Sequence, residues 1–278
     1  MKTYLTLSAI ALAAAATLTS GTVLAQAAAP AAAPDFVVTG SFGITSDYRF
    51  RGLQQTDGDP AFQGGFDVAH SSGLYVGTWG SNVSSWAAGP YSSTKLETNL
   101  YGGYKTDVSG VGVDVGSIAY IYPGSTSGNS ATGGDYRANT QEAYVGLSYG
   151  IATFKTSYVL GKNYFASNNA GSDNSGTMYY DLTLTKEIMP KLTASVHAGY
   201  LDHKKDATAY GGEKVSFADY NVGLAYDLGN SFTLGAKYFW NDAKAGTKSY
   251  ATGVSGNGDF NGKPLYKDGF AVSLTKTF

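Results

Sequence analysis

The three histidines are the residues best suited to general acid–base chemistry, and two of them lie near serines. His70 adjoins Ser71, His197 lies two residues after Ser195, and His203 begins a short basic segment. A nucleophilic site needs a base within hydrogen-bond reach of the nucleophile and a third group that orients the base. None of the three positions carries a motif that supplies this geometry. The sequence therefore favours turn, interior and loop roles for them and leaves hydrolysis as the minor alternative.

Metal and cofactor chemistry is not supported by the spacing of the acidic residues. The segments 172–176 and 256–262 are rich in Asp, Asn and Gly but lack the ligand spacing and closing Glu of a calcium loop. The chain has no Cys, which excludes thiolate metal sites and disulfide scaffolds. The glycines at 211–212 precede no predicted helix, so a phosphate cradle is unsupported. We therefore predict no cofactor, no metal and no catalytic residue.

A larger set of charged residues falls on one face of the strands predicted below. Alternate side chains of a strand point to opposite faces, and these residues lie opposite the apolar stripes. Both signs occur, and ionised groups inside a protein must be hydrated or paired. The set that we predict to line a polar interior comprises Asp47, Arg49, Arg51, Asp67, Glu97, Lys105, Asp114, Glu142, Lys155, Asp181, Asp219 and Lys237.

Two arginines of this set, Arg49 and Arg51, lie at i and i+2 near the end of the first predicted strand. One interpretation is a small cluster that contacts anions. The other, which the sequence favours, is an ion pair with Asp47 and neighbouring carboxylates. Arg137 is the one further arginine, so a path built for acidic sugars is not indicated. The mild excess of carboxylates on the remaining inward positions favours cations.

Period-2 alternation predicts twelve strands whose connections alternate between short and long. Short turns are predicted at 71–72, 107–110, 150, 189–190 and 229–230, and the segments between them are long and rich in Gly, Ser, Asn and Thr. An even strand number with one rim of tight turns and one of long loops is typical of a closed outer-membrane barrel. The strands are predicted at 36–50, 61–70, 73–84, 94–106, 111–122, 139–149, 151–161, 176–188, 191–202, 217–228, 231–242 and 268–278.

Apolar stripes on the other face of these strands predict contact with outer-membrane lipid. In the strand 231–242 the stripe is Phe232, Leu234, Ala236, Tyr238 and Trp240. Tyr and Trp near the ends of such stripes favour the membrane interface, where the ring is buried and its polar atom stays hydrated. The chain ends on an aromatic residue, Phe278, which resembles the C-terminal assembly signal of many bacterial outer-membrane barrels. That resemblance implies the barrel assembly machinery as a partner.

The amino terminus predicts export. Lys2 is followed by an apolar run over 5–18 and by Val23-Leu24-Ala25, which indicates a cleaved signal peptide at 1–25, too short and weakly apolar to span a bilayer. An Ala/Pro-rich flexible leader follows at 26–34, and the barrel is assigned to 35–278. With 37 Gly, 22 Tyr, 13 Phe and only 14% charged residues, the composition indicates strands. No basic patch suggests a nucleic-acid partner.

Four stretches in the first part of the chain carry a family resemblance. They are SDYRFRG at 46–52, GDPAFQGGFD at 58–67, GLYVGTWGSNV at 73–83 and ETNLYGGY at 97–104. These motifs resemble the proteobacterial TorF family of porin-like proteins, also known as the Gcw_chp family of unknown function. The resemblance covers about residues 40–105. It implies an outer-membrane barrel of a Gram-negative bacterium with pore activity, and no catalytic residue or substrate.

The interior could be open or filled, because twelve strands lie between the eight of a filled barrel and the sixteen of an open channel. Inward glycines such as Gly77 and Gly103 leave volume, whereas inward aromatics such as Tyr75 and Tyr101 narrow it. We favour a channel that passes small hydrophilic solutes or ions by diffusion, without a covalent step. A plugged structural or adhesive barrel is the main alternative, and an outer-membrane hydrolase is the minor one.

Overall fold

A computed structural model describes residues 35–84, 87, 94–125, 138–165, 173–204, 216–243, 259–260 and 263–278. The predicted signal peptide (1–25), the leader (26–34) and Arg137 lie outside these residues. Among the described residues, no helix is long and apolar enough to cross a membrane.

Twelve strands form one closed antiparallel barrel, as the sequence predicts. Each long strand pairs with its neighbours in the chain, and the barrel closes where the first strand pairs with the last. The barrel strands are β1 (Phe36–Thr45), β4 (Ala61–His70), β5 (Leu74–Asn82), β6 (Leu96–Val108), β7 (Val111–Ile121), β8 (Thr140–Tyr149), β9 (Ala152–Val159), β10 (Met178–Met189), β11 (Leu192–Asp202), β12 (Phe217–Gly229), β13 (Phe232–Asn241) and β16 (Gly269–Thr277). Four short strands lie between them: β2 (Arg49–Phe50), β3 (Leu53–Gln54), β14 (Asp259–Phe260) and β15 (Lys263–Pro264).

One rim of the barrel, here called the turn end, consists of the predicted tight turns. Ser109 and Gly110 between β6 and β7 both have positive φ, 55° and 86°. This is the backbone of a two-residue type I′ hairpin, whose twist matches that of the flanking strands. The Asp107 carboxylate accepts a hydrogen bond from the Gly110 N–H at 2.9 Å and holds the turn. The long connections lie at the opposite rim, the loop end.

Each of the twelve barrel strands carries large apolar side chains that are exposed on its outer face. Phe66 is 54% exposed, Val196 52% and Phe270 73%. Soluble monomers rarely expose a continuous apolar surface of this extent. A belt of this kind, with polar side chains on the inner face, matches a barrel surrounded by lipid.

The carboxy terminus completes the seam between β1 and β16. Five residue pairs join the strands, from Ser41 opposite Thr277 to Thr45 opposite Ser273. Gly40 and Phe278 then exchange backbone hydrogen bonds of 2.7 and 3.0 Å. The Phe278 ring occupies the space that a Cβ on Gly40 would need. The same ring packs edge-on against Phe66, with 6.1 Å between ring centroids.

The first strand is shorter than predicted, and the prediction of one strand over 36–50 is wrong at its end. β1 stops at Thr45, and residues 46–60 fold back into the barrel as a small β2–β3 hairpin, here called the inward hairpin. Its tip residues Arg51 and Gly52 have φ of 48° and 78°. Two consecutive left-handed residues form a type I′ turn and reverse the chain, so the strand cannot continue past them.

Candidate functional site

The interior of the barrel collects the charged residues that the sequence places on the inner face. The inward hairpin occupies its loop end between two clusters of buried side chains. Tyr48 belongs to one cluster, Phe50 packs against it, and Leu53 packs against the other. The first cluster also contains Trp79, Ile118, Tyr120, Tyr122 and Tyr144, and the second contains Val159, Tyr164, Tyr179, Leu201, Phe217, Leu265 and Tyr266. The hairpin therefore forms a dry core with the barrel wall.

Arg51, at the tip of the inward hairpin, makes the strongest polar contact between the hairpin and the wall. Its two terminal nitrogens donate to the two Glu142 carboxylate oxygens, each at 2.8 Å, and one of them also donates to the Tyr164 hydroxyl at 3.0 Å. Both charged side chains are buried, at 7% and 1% exposure. Bidentate Arg–carboxylate pairs are strong and directional.

Aromatic rings complete the surroundings of Arg51. The guanidinium carbon lies 4.3 Å from the centroid of the Tyr179 ring and 4.8 Å from that of Phe50. Burial lowers the pKa of Arg51, but the Glu142 carboxylate and the neighbouring tyrosines Tyr164 and Tyr120 together raise it by more, so the pKa lies above its ordinary value. The group stays charged. Asn or Gly usually fills this left-handed turn position, so the contacts of Arg51 offset a backbone strain of about 1–2 kcal/mol.

The tip of the hairpin is fitted closely to the wall at Gly52. A Cβ on this glycine would lie 2.7 Å from the Cβ of Asp219, which is closer than real side chains approach. Its φ of 78° also favours glycine. The segment 46–52 thus combines a turn glycine with an arginine, and both residues fix the position of the hairpin tip against the barrel wall.

The ion pair predicted between Arg49 and Asp47 is confirmed. The Arg49 Nε donates to Asp47 Oδ2 at 2.6 Å, and Gln54 donates to the same oxygen at 3.1 Å. Arg49 also donates to the Lys267 carbonyl at 2.5 Å. Because Arg49 and Arg51 contact different carboxylates, the pair does not present a joint anion cluster. All three residues lie on the inward hairpin and not on a barrel strand, which corrects their predicted position.

Glu97 is a second buried carboxylate at the loop end. It is 1% exposed and lies 3.3 and 3.4 Å from the hydroxyl of Tyr48, with the Asn99 amide donating to it at 2.9 Å. Tyr48 lies outside the barrel strands, and burial followed by the Glu97 charge raises its pKa. The predicted lining residue Glu97 therefore binds the hairpin.

Five further members of the predicted set follow one hydrogen-bonded row of the wall, here called the charged row. Its members are cross-strand partners directly or through an intervening glycine. Because the strands are tilted, the row passes around the barrel wall and ends at Asp219, which lies next to Gly52 at the hairpin tip. The row runs Lys105, Asp114, Gly146, Lys155, Asp181, Gly199 and Asp219. Lys105, Lys155 and Asp181 are half-buried, whereas Asp114 and Asp219 are buried.

Tyrosines link this row to the rest of the wall. Tyr75 donates to Asp114 at 2.6 Å, and its hydroxyl also contacts that of Tyr144. The ammonium of Lys105 lies 4.4 Å from the centroid of the Tyr75 ring, and that of Lys155 lies 4.2 Å from that of Tyr144. Outside the row, Tyr101 donates to Asp67 at 2.7 Å. Lys237, also half-buried, lies on β13, next to the strand that ends the row, and its side chain contacts Gly223.

Four of the inward glycines do not widen the interior, although the sequence suggested that they would. The ring of a tyrosine on the next strand lies over each of four glycines and fills the space of the missing side chain. A Cβ on Gly77 would meet the Tyr101 ring at 2.5 Å, and one on Gly116 would meet the Tyr144 hydroxyl at 2.5 Å. Such aromatic cover compensates for glycine in a strand. The pairs are Tyr101 over Gly77, Tyr75 over Gly103, Tyr144 over Gly116 and Tyr179 over Gly199.

His197 lies between two carboxylates of the charged row. Its Nδ1 is 3.4 Å from Asp181 and its Nε2 is 3.2 Å from Asp219. The Thr183 hydroxyl, which donates to Asp181 at 2.9 Å, is 3.2 Å from the same Nδ1. Both ring nitrogens thus face carboxylates, and His197 links β10, β11 and β12 within the wall.

The other two histidines lie at opposite rims. His70 contacts the Ser72 hydroxyl at 2.8 Å within a tight turn. His203 is 1% exposed and packs edge-on against Tyr164. It is therefore part of the dry core and not of a solvated loop.

Sequence reasoning missed the large apolar and aromatic residues that loops bring into the dry core. Tyr164, Phe165, Leu265 and Tyr266 come from connections predicted to be solvated, yet they pack against the hairpin or its clusters. The sequence feature that could have indicated their burial is two adjacent bulky side chains inside an otherwise polar segment. It occurs twice, in NYF at 163–165 and in PLY at 264–266.

Comparison with known proteins identifies the family of this chain. A protein-family sequence model, described as "Bacterial protein of unknown function (Gcw_chp)", matches residues 28–278. The chain belongs to the Gcw_chp family. No curated protein is significantly similar to this family member in sequence.

Several solved porin structures are similar to this Gcw_chp protein. The NanC porin is 13% identical, with 87% of this chain and 98% of that chain covered and a TM-score of 0.48. The KdgM porin, solved in complex with disordered oligogalacturonate, is 8% identical over the same shares, also with a TM-score of 0.48. OprD of Pseudomonas aeruginosa is 15% identical over 88% of this chain and 66% of that chain, with a TM-score of 0.40.

Proposed function

We propose that this Gcw_chp protein is an outer-membrane channel that passes small hydrophilic solutes or ions by diffusion. The observation that carries the proposal is a closed, lipid-compatible barrel with ionisable side chains at half-buried inner positions. Lys105, Lys155, Asp181 and Lys237 keep part of their surface accessible. Charges in a closed barrel stay ionised at low cost when water reaches them, and a wetted, charged interior is what a diffusion path requires.

The inward hairpin is the narrowest part of this path. Its side chains fill the loop end with a dry core, so solute flow depends on how much of the hairpin leaves that position. Replacing residues 47–56 by a flexible Gly/Ser segment of equal length removes the contacts of Arg51 and Phe50 while the strands stay paired. We expect a larger single-channel conductance from this variant than from the natural chain.

Cations are the favoured permeant ions. Arg49 pairs with Asp47 and Arg51 with Glu142, so these four charges cancel locally. The remaining predicted lining residues are five carboxylates, Asp67, Glu97, Asp114, Asp181 and Asp219, and three lysines, Lys105, Lys155 and Lys237. An acidic excess in a narrow interior concentrates cations.

The protein's location and processing belong to the same proposal. Export through a signal peptide cleaved after Ala25, insertion by the barrel assembly machinery and residence in the outer membrane of a Gram-negative bacterium fit the lipid-compatible exterior and the terminal Phe278. The narrower TorF porin assignment rests on the motifs within residues 40–105. Fractionation and amino-terminal sequencing of the expressed chain test location and cleavage directly.

A planar-bilayer recording of the refolded protein tests the channel. Discrete conductance steps, with a reversal potential toward cations in a KCl gradient, are the expected result. Silence from a barrel whose folding is shown by heat-modifiable migration would overturn the channel proposal. That outcome would favour the second candidate, a plugged structural or adhesive barrel, for which the packing of the inward hairpin is the specific support.

A further inference from the structure

The surroundings of Arg51 are divided between the inward hairpin and the rest of the barrel. Arg51 and Phe50 belong to the hairpin, whereas Glu142 and Tyr179 belong to β8 and β10, and Tyr164 follows β9. The wall therefore presents a carboxylate, a hydroxyl and a ring face to one guanidinium. If the hairpin moved away, these three groups would remain together.

Glu142 cannot readily remain there alone. Its side chain is 1% exposed, and Arg51 neutralises it through two hydrogen bonds of 2.8 Å. A buried carboxylate that loses the partner of its hydrogen-bonded ion pair is disfavoured, and Lys155 on the neighbouring strand adds only a longer-range attraction. Among the described residues, Glu142 forms its ion pair with Arg51. The wall therefore favours a cation at this point, whether or not the hairpin supplies it.

The geometry selects the chemistry of that cation. Two parallel hydrogen bonds to two carboxylate oxygens require a planar fork of donors, which a guanidinium has and an ammonium lacks. Stacking of the guanidinium plane on an aromatic face, here Tyr179 at 4.3 Å from the guanidinium carbon, adds to the preference.

We propose that Glu142, Tyr164 and Tyr179 form a binding site for guanidinium-bearing solutes, that Arg51 fills it as an internal ligand, and that such solutes release the inward hairpin by competing with Arg51. The binding step stands on the geometry alone, whereas the release step rests on the proposed channel function. A solute can shift the hairpin only by its differential affinity for the released state. The acidic excess of the interior raises the local concentration of cations near the site.

The binding step is tested with methylguanidinium and the Arg51→Ala variant, refolded in detergent. The variant empties the site, so methylguanidinium at millimolar concentration should bind it and raise its Tm. Its affinity should be at least tenfold higher than for the natural chain, where Arg51 must first be displaced. Methylammonium at equal ionic strength is the control ligand. The Arg51→Ala/Glu142→Gln double variant should lose the effect.

A matched control comes from the other arginine of the hairpin. Arg49→Ala removes an equal charge two residues away but leaves Arg51 on Glu142, so this variant should bind methylguanidinium no better than the natural chain. If Arg51→Ala fails to fold, Arg51→Met keeps an apolar stem in the hairpin core and removes the same charge. Equal responses to methylguanidinium and methylammonium, or no response in either Arg51 variant, would overturn the site.

The release step is tested by bilayer currents of the natural chain. Methylguanidinium should raise the time spent in the larger-conductance state several-fold, while methylammonium should not. Glu142→Gln breaks the ion pair that holds the hairpin, so this variant should occupy the larger-conductance state without methylguanidinium and should not respond to it. Conductance without any such response, combined with binding to Arg51→Ala, would refute release and keep the site. Silence of every folded variant would refute the channel and with it release, and the Tm measurements would still decide whether the site exists.

Discussion

Substitution of Gly77 by Ala tests the packing of tyrosines over glycines in the barrel wall. The new Cβ would lie 2.5 Å from Tyr101 Cε2 and 2.5 Å from Asp67 Oδ1. Tyr101 is 6% exposed and donates to Asp67 at 2.7 Å, so the ring can move only by giving up this hydrogen bond. The barrel wall therefore cannot accommodate the methyl group without losing the hydrogen bond between Tyr101 and Asp67.

The expected cost follows from three contributions. Overpacking a filled position costs about 1–3 kcal/mol, and losing a hydrogen bond to a charged group costs about 1.5–3 kcal/mol. Replacing a strand glycine by Ala stabilises the folded state by about 0.5–1 kcal/mol through the smaller loss of backbone entropy. Gly77→Ala should therefore lower the free energy of unfolding by about 1.5–5.5 kcal/mol. The ratio of unfolded to folded protein then rises by at least about tenfold, since 1.4 kcal/mol is a factor of ten.

Urea unfolding of the refolded barrel in lipid vesicles, followed by tryptophan fluorescence, measures this change. Gly146→Ala is the matched control, because Gly146 also faces inward but its nearest neighbour to a new Cβ is 3.6 Å away. That variant should gain about 0.5–1 kcal/mol. In a Tyr101→Ala background, Gly77→Ala should cost little. Equal stabilities for the Gly77 and Gly146 variants, or an undiminished cost without the Tyr101 ring, would refute the packing argument.

Three other predictions concern the interior and the seam. Lys155→Gln should shift the reversal potential toward stronger cation selectivity, whereas Lys186→Gln, on the outer face, should leave it unchanged. Gly52→Ala should loosen the hairpin tip and raise mean conductance, whereas Gly58→Ala, at nearly the same φ of 77° but with 3.4 Å of clearance, should not. Phe278→Ala should slow the appearance of heat-modifiable barrel during refolding and cost about 0.5–1.5 kcal/mol through its contact with Phe66, while a normal refolding rate would contradict the role given to the ring.

The barrel could be predicted from the sequence because its signals are local and repeated. Alternation fixes which side of each strand is apolar, and turn glycines mark the short connections. These signals located all twelve strands. The inward hairpin could not be found in this way, because SDYRFRG continues the alternation of β1 and resembles more strand. What reverses the chain within the hairpin is the type I′ geometry at Arg51-Gly52, which depends on contacts with Glu142 and Asp219 far along the chain.

The interior residues were predicted as a set but not as an arrangement. The alternation of side chains along each strand places Lys105, Asp114 and Lys155 on the inner face, as the structure has them. Only the register between strands shows that these residues follow one row. The filling of the loop end depends on aromatic residues such as Phe165, which no periodic pattern marks. The lining roles of the predicted residues remain predictions until currents are recorded from variants.

The seam between β1 and β16 differs from every other barrel contact in the separation of its strands along the chain. The remaining pairs join sequence neighbours and can form one hairpin at a time, whereas this pair must bring the two ends of the barrel together. Closing a loop of that length carries the largest entropy cost among the barrel strand pairs, so we expect this seam to form last. Until then the chain is an open sheet with two unpaired edges, the form most prone to aggregate. We therefore expect the contacts of Gly40 and Phe278 to set the time that a folding chain spends in that form.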